Sequence, residues 1–135
     1  MKSVSLYSLI LITVILCSCD ESVTEYDQYP APSYFHAKVD SLAMPDSVSV
    51  TDTLIAYLTG KLGPSGCYSF FGFEDSTMEN KVTIKVIGKQ VYVPCIQTHM
   101  GFFENYKLFD LKKGFILLEI LNPDNINIKD SVLIY

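Results

Sequence analysis

The chain has 135 residues, 49% of them hydrophobic and 19% charged, with a formal net charge of −5. That length suits one domain with a core of its own. Its positive charge is all lysine, with no arginine, set against fifteen acids. This excludes nucleic-acid binding, which needs clustered positive charge and favours arginine as the fork for phosphates and guanines.

Residues 1–18 read as a secretory signal. Met1-Lys2 gives a short positive start, residues 6–16 form an apolar run, and small residues close it. The run is shorter than the ~20 residues that span a bilayer as a helix. Its ending, Leu16-Cys17-Ser18-Cys19, resembles the bacterial lipobox, in which cleavage precedes a cysteine already carrying a diacylglyceryl group. Small Ser18 suits the position before the cut, so Cys19 is the expected lipidated residue. Cys17 is the rival acceptor, but it would place bulky Leu16 before the cut. The resemblance implies a membrane partner through the lipid on Cys19 and an outer-membrane location in a Gram-negative bacterium. Asp20-Glu21 is similar to the acidic export signal of Bacteroidetes-type surface lipoproteins. In many other Gram-negative bacteria an aspartate there marks inner-membrane retention, so the surface and periplasmic faces both stay open. Cleavage removes Lys2 and leaves nine lysines against fifteen acids, a mature net charge of −6.

Residues 19–33 are acidic and then proline-bearing (Tyr29-Pro30-Ala31-Pro32), without hydrophobic period, and read as a tether. Extended at ~3.3 Å per residue, it reaches about 45 Å. Residues 34–135 carry the signals of strands. Residues 34–39 form a first strand, residues 47–50 begin another extended run, and residues 53–59 continue it with Leu54, Ala56 and Leu58 on one face. Gly60, Gly63, Pro64 and Gly66 should break that run. Residues 67–73 are apolar on both faces, as in a central covered strand, and residues 74–80 read as a polar loop.

Val82, Ile84 and Val86 alternate with polar residues, a half-buried strand. Gly88-Lys89 should then turn the chain into a hairpin, with Val91, Val93 and Cys95 facing the core on a return strand that Pro94 limits to an edge. Residues 100–110 read as an irregular aromatic segment holding one strand at most. In residues 115–121, Glu119 should face solvent with Ile116, Leu118 and Ile120 inward. Pro123-Asp124-Asn125 is a turn, and Val132 and Ile134 share a face of the final strand. Seven or eight short strands and no helical period describe a β-sandwich, or alternatively a small β-barrel. Leu-x-x-Gly-x-aliphatic at residues 111–116 resembles the turn before the penultimate strand of bacterial Ig-like domains. The resemblance implies an Ig-like β-sandwich of about seven strands. Tryptophan is absent, however, and the 28 positions between Cys67 and Cys95 are about half the antibody spacing.

With Cys17 removed and Cys19 lipidated, Cys67 and Cys95 remain, and two cysteines in an exported domain most simply form a disulfide. The alternative is metal: Cys95 sits four residues before His99. A zinc site of four ligands would need more Cys or His than remain. No calcium loop and no glycine-rich phosphate cradle is present, so neither metal nor cofactor is expected. His36 and His99 lack a nucleophile context, and Glu74, Asp75 and Glu79, as a pairing of carboxylates for glycosidic work, read better as solvated loop acids. The chain therefore reads as a non-enzymatic accessory or binding module. Phe102, Phe103 and Tyr106 could anchor a protein or glycan partner, or simply pack in the core.

Overall fold

The structure is a computed structural model that describes residues 29–135. Residues 1–28, which include the expected signal peptide, Cys17, Cys19, Asp20-Glu21 and most of the expected tether, lie outside the described residues. The nine strands are β1 (Ser33–His36), β2 (Lys38–Ala43), β3 (Ser47–Val48), β4 (Leu54–Gly63), β5 (Tyr68–Met78), β6 (Lys81–Gln90), β7 (Met100–Leu108), β8 (Gly114–Ile120) and β9 (Ile128–Ile134). They form an all-β sandwich. The smaller sheet runs β2-β4-β7. In the larger, β6 carries β5 along one side, while β8 and β1 lie end to end along the other; β9 and β3 follow beyond β8. Two ladders, β3–β9 and β6–β8, are parallel, unlike the antiparallel sheets of the immunoglobulin pattern.

Alternation builds the core. Leu54, Ala56 and Leu58 of β4 face Val82, Ile84 and Val86 of β6, with Leu118 and Ile120 of β8 and Val132 and Ile134 of β9 filling the layer, all essentially without solvent contact. Each leucine, isoleucine and valine among them contributes about 1.5–3 kcal/mol by leaving water. The turn before the penultimate strand buries Leu111 and opens β8 with Gly114 at φ 125°.

Several sequence expectations are corrected. Gly88-Lys89 is not a turn: β6 runs straight through it, and the hairpin lies between β5 and β6, where Glu79 takes φ 53°. Gly60 and Gly63 likewise lie within β4 instead of ending it. These glycines make room. A methyl group at Gly88 would collide with the ring of Phe35, one at Gly60 with the Lys38 carbonyl oxygen and the ring of Phe102, and one at Gly63 with the ring of Tyr68. Glycine inside a strand can mark close approach as well as a break. With no turn at Gly88 there is no return strand, so residues 91–95 are irregular and Val93 is exposed. The acids of residues 74–78 extend β5, paired from Glu74↔Lys85 to Met78↔Lys81. β5 is an edge strand of its sheet, and Phe71 stands 58% exposed on the outer face, edge-on to Tyr34. Residues 100–108 form a regular strand, β7.

The expected first strand is two. At Ala37 the chain leaves the larger sheet and enters the smaller, and the loop after β8 holds this crossover. His36 donates from Nε2 to the Leu121 carbonyl oxygen at 2.7 Å. The buried Asn122 side chain accepts from the Val39 N–H at 2.8 Å and donates to the Val39 carbonyl at 2.9 Å. Asn122 thereby acts as a strand partner for the free edge of β2. Its amide also donates to the Ile126 carbonyl at 3.0 Å, which ties the turn to the crossover.

Asn122→Ala would leave both Val39 groups buried and unpaired. At about 1–3 kcal/mol per group, urea unfolding should show roughly 2–6 kcal/mol of lost stability. Asn122→Asp, which would set a buried carboxylate against the Val39 and Ile126 carbonyls, should lose at least as much above the pH at which it ionises. A loss below ~0.5 kcal/mol for alanine, the range of an ordinary surface change, would refute this role.

Candidate functional site

Cys67 and Cys95 form a disulfide, with Cα atoms 5.5 Å apart. Flanking backbone bonds, Gly66 N–H to the Ile96 carbonyl at 2.9 Å and Val91 N–H to the Cys67 carbonyl at 3.0 Å, hold the two segments in register. The bridge does not enter the core. It fastens the β6–β7 connection to the start of β5, and both cysteines are only half-buried. The core position expected for Cys95 depended on the hairpin at Gly88, and it falls with that hairpin. The bond also takes up the thiol that a chelate with exposed His99 would need.

The three aromatics singled out in the sequence separate by strand parity. Phe102 and Tyr106 face inward, 8% and 7% exposed, whereas Phe103 faces outward and is 66% exposed. Phe102 stacks with Phe70, and Tyr106 packs edge-on against Phe73, closing the flank where β5 and β7 meet. The Tyr106 hydroxyl donates to Asp75 Oδ2 at 2.9 Å. Burial, with the Asp75 bond second, pushes this phenol well above its ordinary pKa. Phe102 and Tyr106 are therefore packing residues, and Phe103 alone of the three meets solvent.

Phe103 has a partner that sequence reasoning missed. Tyr57, 39% exposed, lies near-parallel to it, with centroids 5.9 Å apart and 28° between the rings. That separation is an offset stack. It follows from register: Tyr57 pairs with Asn105 and Thr59 with Phe103, so the two rings are diagonal neighbours on the outer face of the smaller sheet. The available signal was the alternation itself, since Leu54, Ala56 and Leu58 inward put Tyr57 outward. Beside the rings lies a groove of about 500 Å³ lined by Ala43, Met44, Pro45, Thr53, Ile55 and Tyr57. Polar groups share the face, with Ser41 and Thr59 hydroxyls in contact at 2.6 Å, exposed Asn105, and Lys61 and Lys107 at its ends.

Glu74 and Asp75 are successive strand residues and point to opposite faces, and Asp75 already accepts from Tyr106. Glu119 is the strongly perturbed acid. It lies on the outer face of the larger sheet yet is only 6% exposed, because Lys81 and Lys129 cover it, the latter at 3.0 Å, with Asn127 donating at 3.3 Å. Hydrogen bonds from Lys81 first and Lys129 second hold its carboxyl down at about 2. All of these partners are structural cross-strand or turn neighbours.

Comparison of the chain with protein-family models, with curated proteins and with solved structures gives no match.

An acid whose folded pKa is depressed adds stability that is complete above its unfolded value and is lost as pH falls through the folded one. The Glu119 contribution should therefore disappear between about pH 4.5 and about pH 2. The melting temperature of Glu119→Gln should vary less with pH across that window, and parallel curves for the two proteins would exclude the effect. Removing the bridge with Cys67→Ala and Cys95→Ala should cost about 2–5 kcal/mol, near the ~3.6 kcal/mol expected from the entropy of the closed loop. Two free thiols in the denatured, unreduced mature domain would show that no bridge forms.

Proposed function

We propose that the protein is a lipid-anchored, non-enzymatic module of the bacterial cell envelope, acting as a binding or accessory component at the outer membrane. The observation that carries this reading is the Cys67–Cys95 disulfide. Such bonds persist in oxidising, exported compartments and are rare in the cytosol, in keeping with the signal and lipobox pattern ending at Cys19. The alternating strands and the Leu111-to-Gly114 turn before β8 support an Ig-like variant of the sandwich. Modules of this architecture carry function on exposed faces and loops.

A second reading, surface glycan binding, is favoured by the offset Tyr57–Phe103 pair. It shifts the site from the segment between Phe102 and Tyr106 to the outer face of the smaller sheet, because strand parity leaves Phe103 alone exposed.

Metabolic labelling with a fatty-acid analogue tests the anchor. Cys19→Ala should abolish labelling and leave the heavier precursor on a denaturing gel, while Cys17→Ala should label as the parent does. Undiminished labelling of Cys19→Ala would assign the lipid to Cys17, and an unlabelled parent would remove the anchor from the proposal.

A further inference from the structure

We propose that the outer face of the smaller sheet binds an acidic polysaccharide, a chain of uronate or sulfated sugars, with Tyr57 and Phe103 under the sugar rings and Lys61 and Lys107 on its anionic groups. This rests on the glycan reading above and narrows it to one class.

Two independent features of the face point there. The first is the aromatic surface. One face of a pyranose ring presents polarised C–H bonds, and these pack on the electron-rich face of an aromatic ring. Tyr57 and Phe103 offer two such rings in near-parallel planes, and the Ser41 and Thr59 hydroxyls and the Asn105 amide stand beside them for sugar hydroxyls.

The second is charge. The protein is acidic overall, at −5, yet β4 and β7 place no carboxylate on this outer face; the nearby acids, Asp124 and exposed Asp40, gather at Lys38 on its β2 edge. The acids of β2, β4 and β7 are Glu104, which shares the inward parity of its partner Leu58, and Asp40, unpaired at the β2 bulge. Lys61 and Lys107 make no ion pair among the described residues. Lys38, opposite Lys61, is engaged instead by Asp124 at 2.7 Å. Ile55 pairs with Lys107, and Lys61 follows six residues after Ile55, so the lysine positions lie about 20 Å apart along the strands. The aromatic pair stands between them, the layout expected for an extended chain ligand. At physiological salt the screening length is about 8 Å, so a ligand meets the charge of this face rather than that of the whole molecule. Two isolated lysines suit the widely spaced charge of an acidic glycan and fall short of the dense positive charge a polyphosphate backbone requires. The groove at the end formed by the β7–β8 connection has no such bias, since Lys112 and Lys113 share it with Glu79 and Asp110.

The test is affinity electrophoresis of the full-length protein, in a polyoxyethylene detergent that carries no sugar, through gels containing polygalacturonate, alginate, chondroitin sulfate or a neutral glucan. Retardation is expected in at least one acidic gel, weakened by added salt, and absent with the glucan. Phe103→Ala should weaken it about tenfold, the loss typical of a central aromatic anchor. Lys61→Gln with Lys107→Gln should weaken it severalfold and flatten its salt dependence. Phe71→Ala, which removes an equally exposed ring from the opposite sheet, should change nothing. Equal retardation by glucan, or insensitivity to the lysine changes, overturns the acidic class and keeps the glycan reading. No retardation in any gel overturns both. A dimer that Phe103→Ala converts to monomer, without retardation, would assign the face to a second copy of the chain.

Discussion

The sandwich depends on one side-chain amide. Asn122 supplies both an acceptor and a donor to Val39, at the place where the chain has just crossed between sheets. A backbone N–H and C=O buried without partners would cost more than most single contacts return, so the crossover is tolerable only with such a substitute strand. The neighbours of Asn122 reinforce it: Leu121 receives the His36 ring, and Asp124 receives Lys38. Residues 36–39 and 121–124 thus form one clamp, and the facing of the two sheets follows from it.

Across the sandwich, the flank between β5 and β7 is closed by rings, with the Tyr106–Asp75 hydrogen bond beside them. Phe70 meets Phe73 and Phe102, Phe73 meets Tyr106, and Phe35 meets Tyr68. Space for them comes from glycines on neighbouring strands, with Gly60 beneath Phe102, Gly63 beside Tyr68 and Gly88 opposite Phe35. The same arrangement decides what is available for binding. Inward parity commits Phe102 and Tyr106 to the flank, and the residue between them in the alternation, Phe103, is left outside with Tyr57.

The two outer faces differ in how their charges are used. On the larger sheet, Lys81 and Lys129 close over Glu119, and Lys85 stands opposite Glu74. On the smaller sheet, the only acid of β7 is turned inward, Asp124 and Asp40 gather at Lys38 on the β2 edge, and Lys61 and Lys107 stand beside exposed rings and make no ion pair among the described residues. A face that leaves both its aromatic surface and its positive charge unspent is the natural place for a ligand of opposite charge.

The sequence by itself determined the all-β class, the inward sets Leu54/Ala56/Leu58, Val82/Ile84/Val86 and Val132/Ile134, and the pairing of the two cysteines. These follow from local parity and from composition, which need no knowledge of what lies opposite. Only the tertiary structure decided whether a glycine turns the chain or accommodates a ring. Gly88 and Gly60 carry the same local signal as a turn, and the residues that distinguish the two cases, Phe35 and Phe102, lie far along the chain. The same holds for Ala37, whose switch of sheets depends on Asn122 some 83 positions beyond the residue it holds, Val39. It holds for the binding face too: parity could place Tyr57 outward, but its meeting with Phe103 required the β4–β7 register, which is set by long-range pairing and leaves no trace within either strand alone.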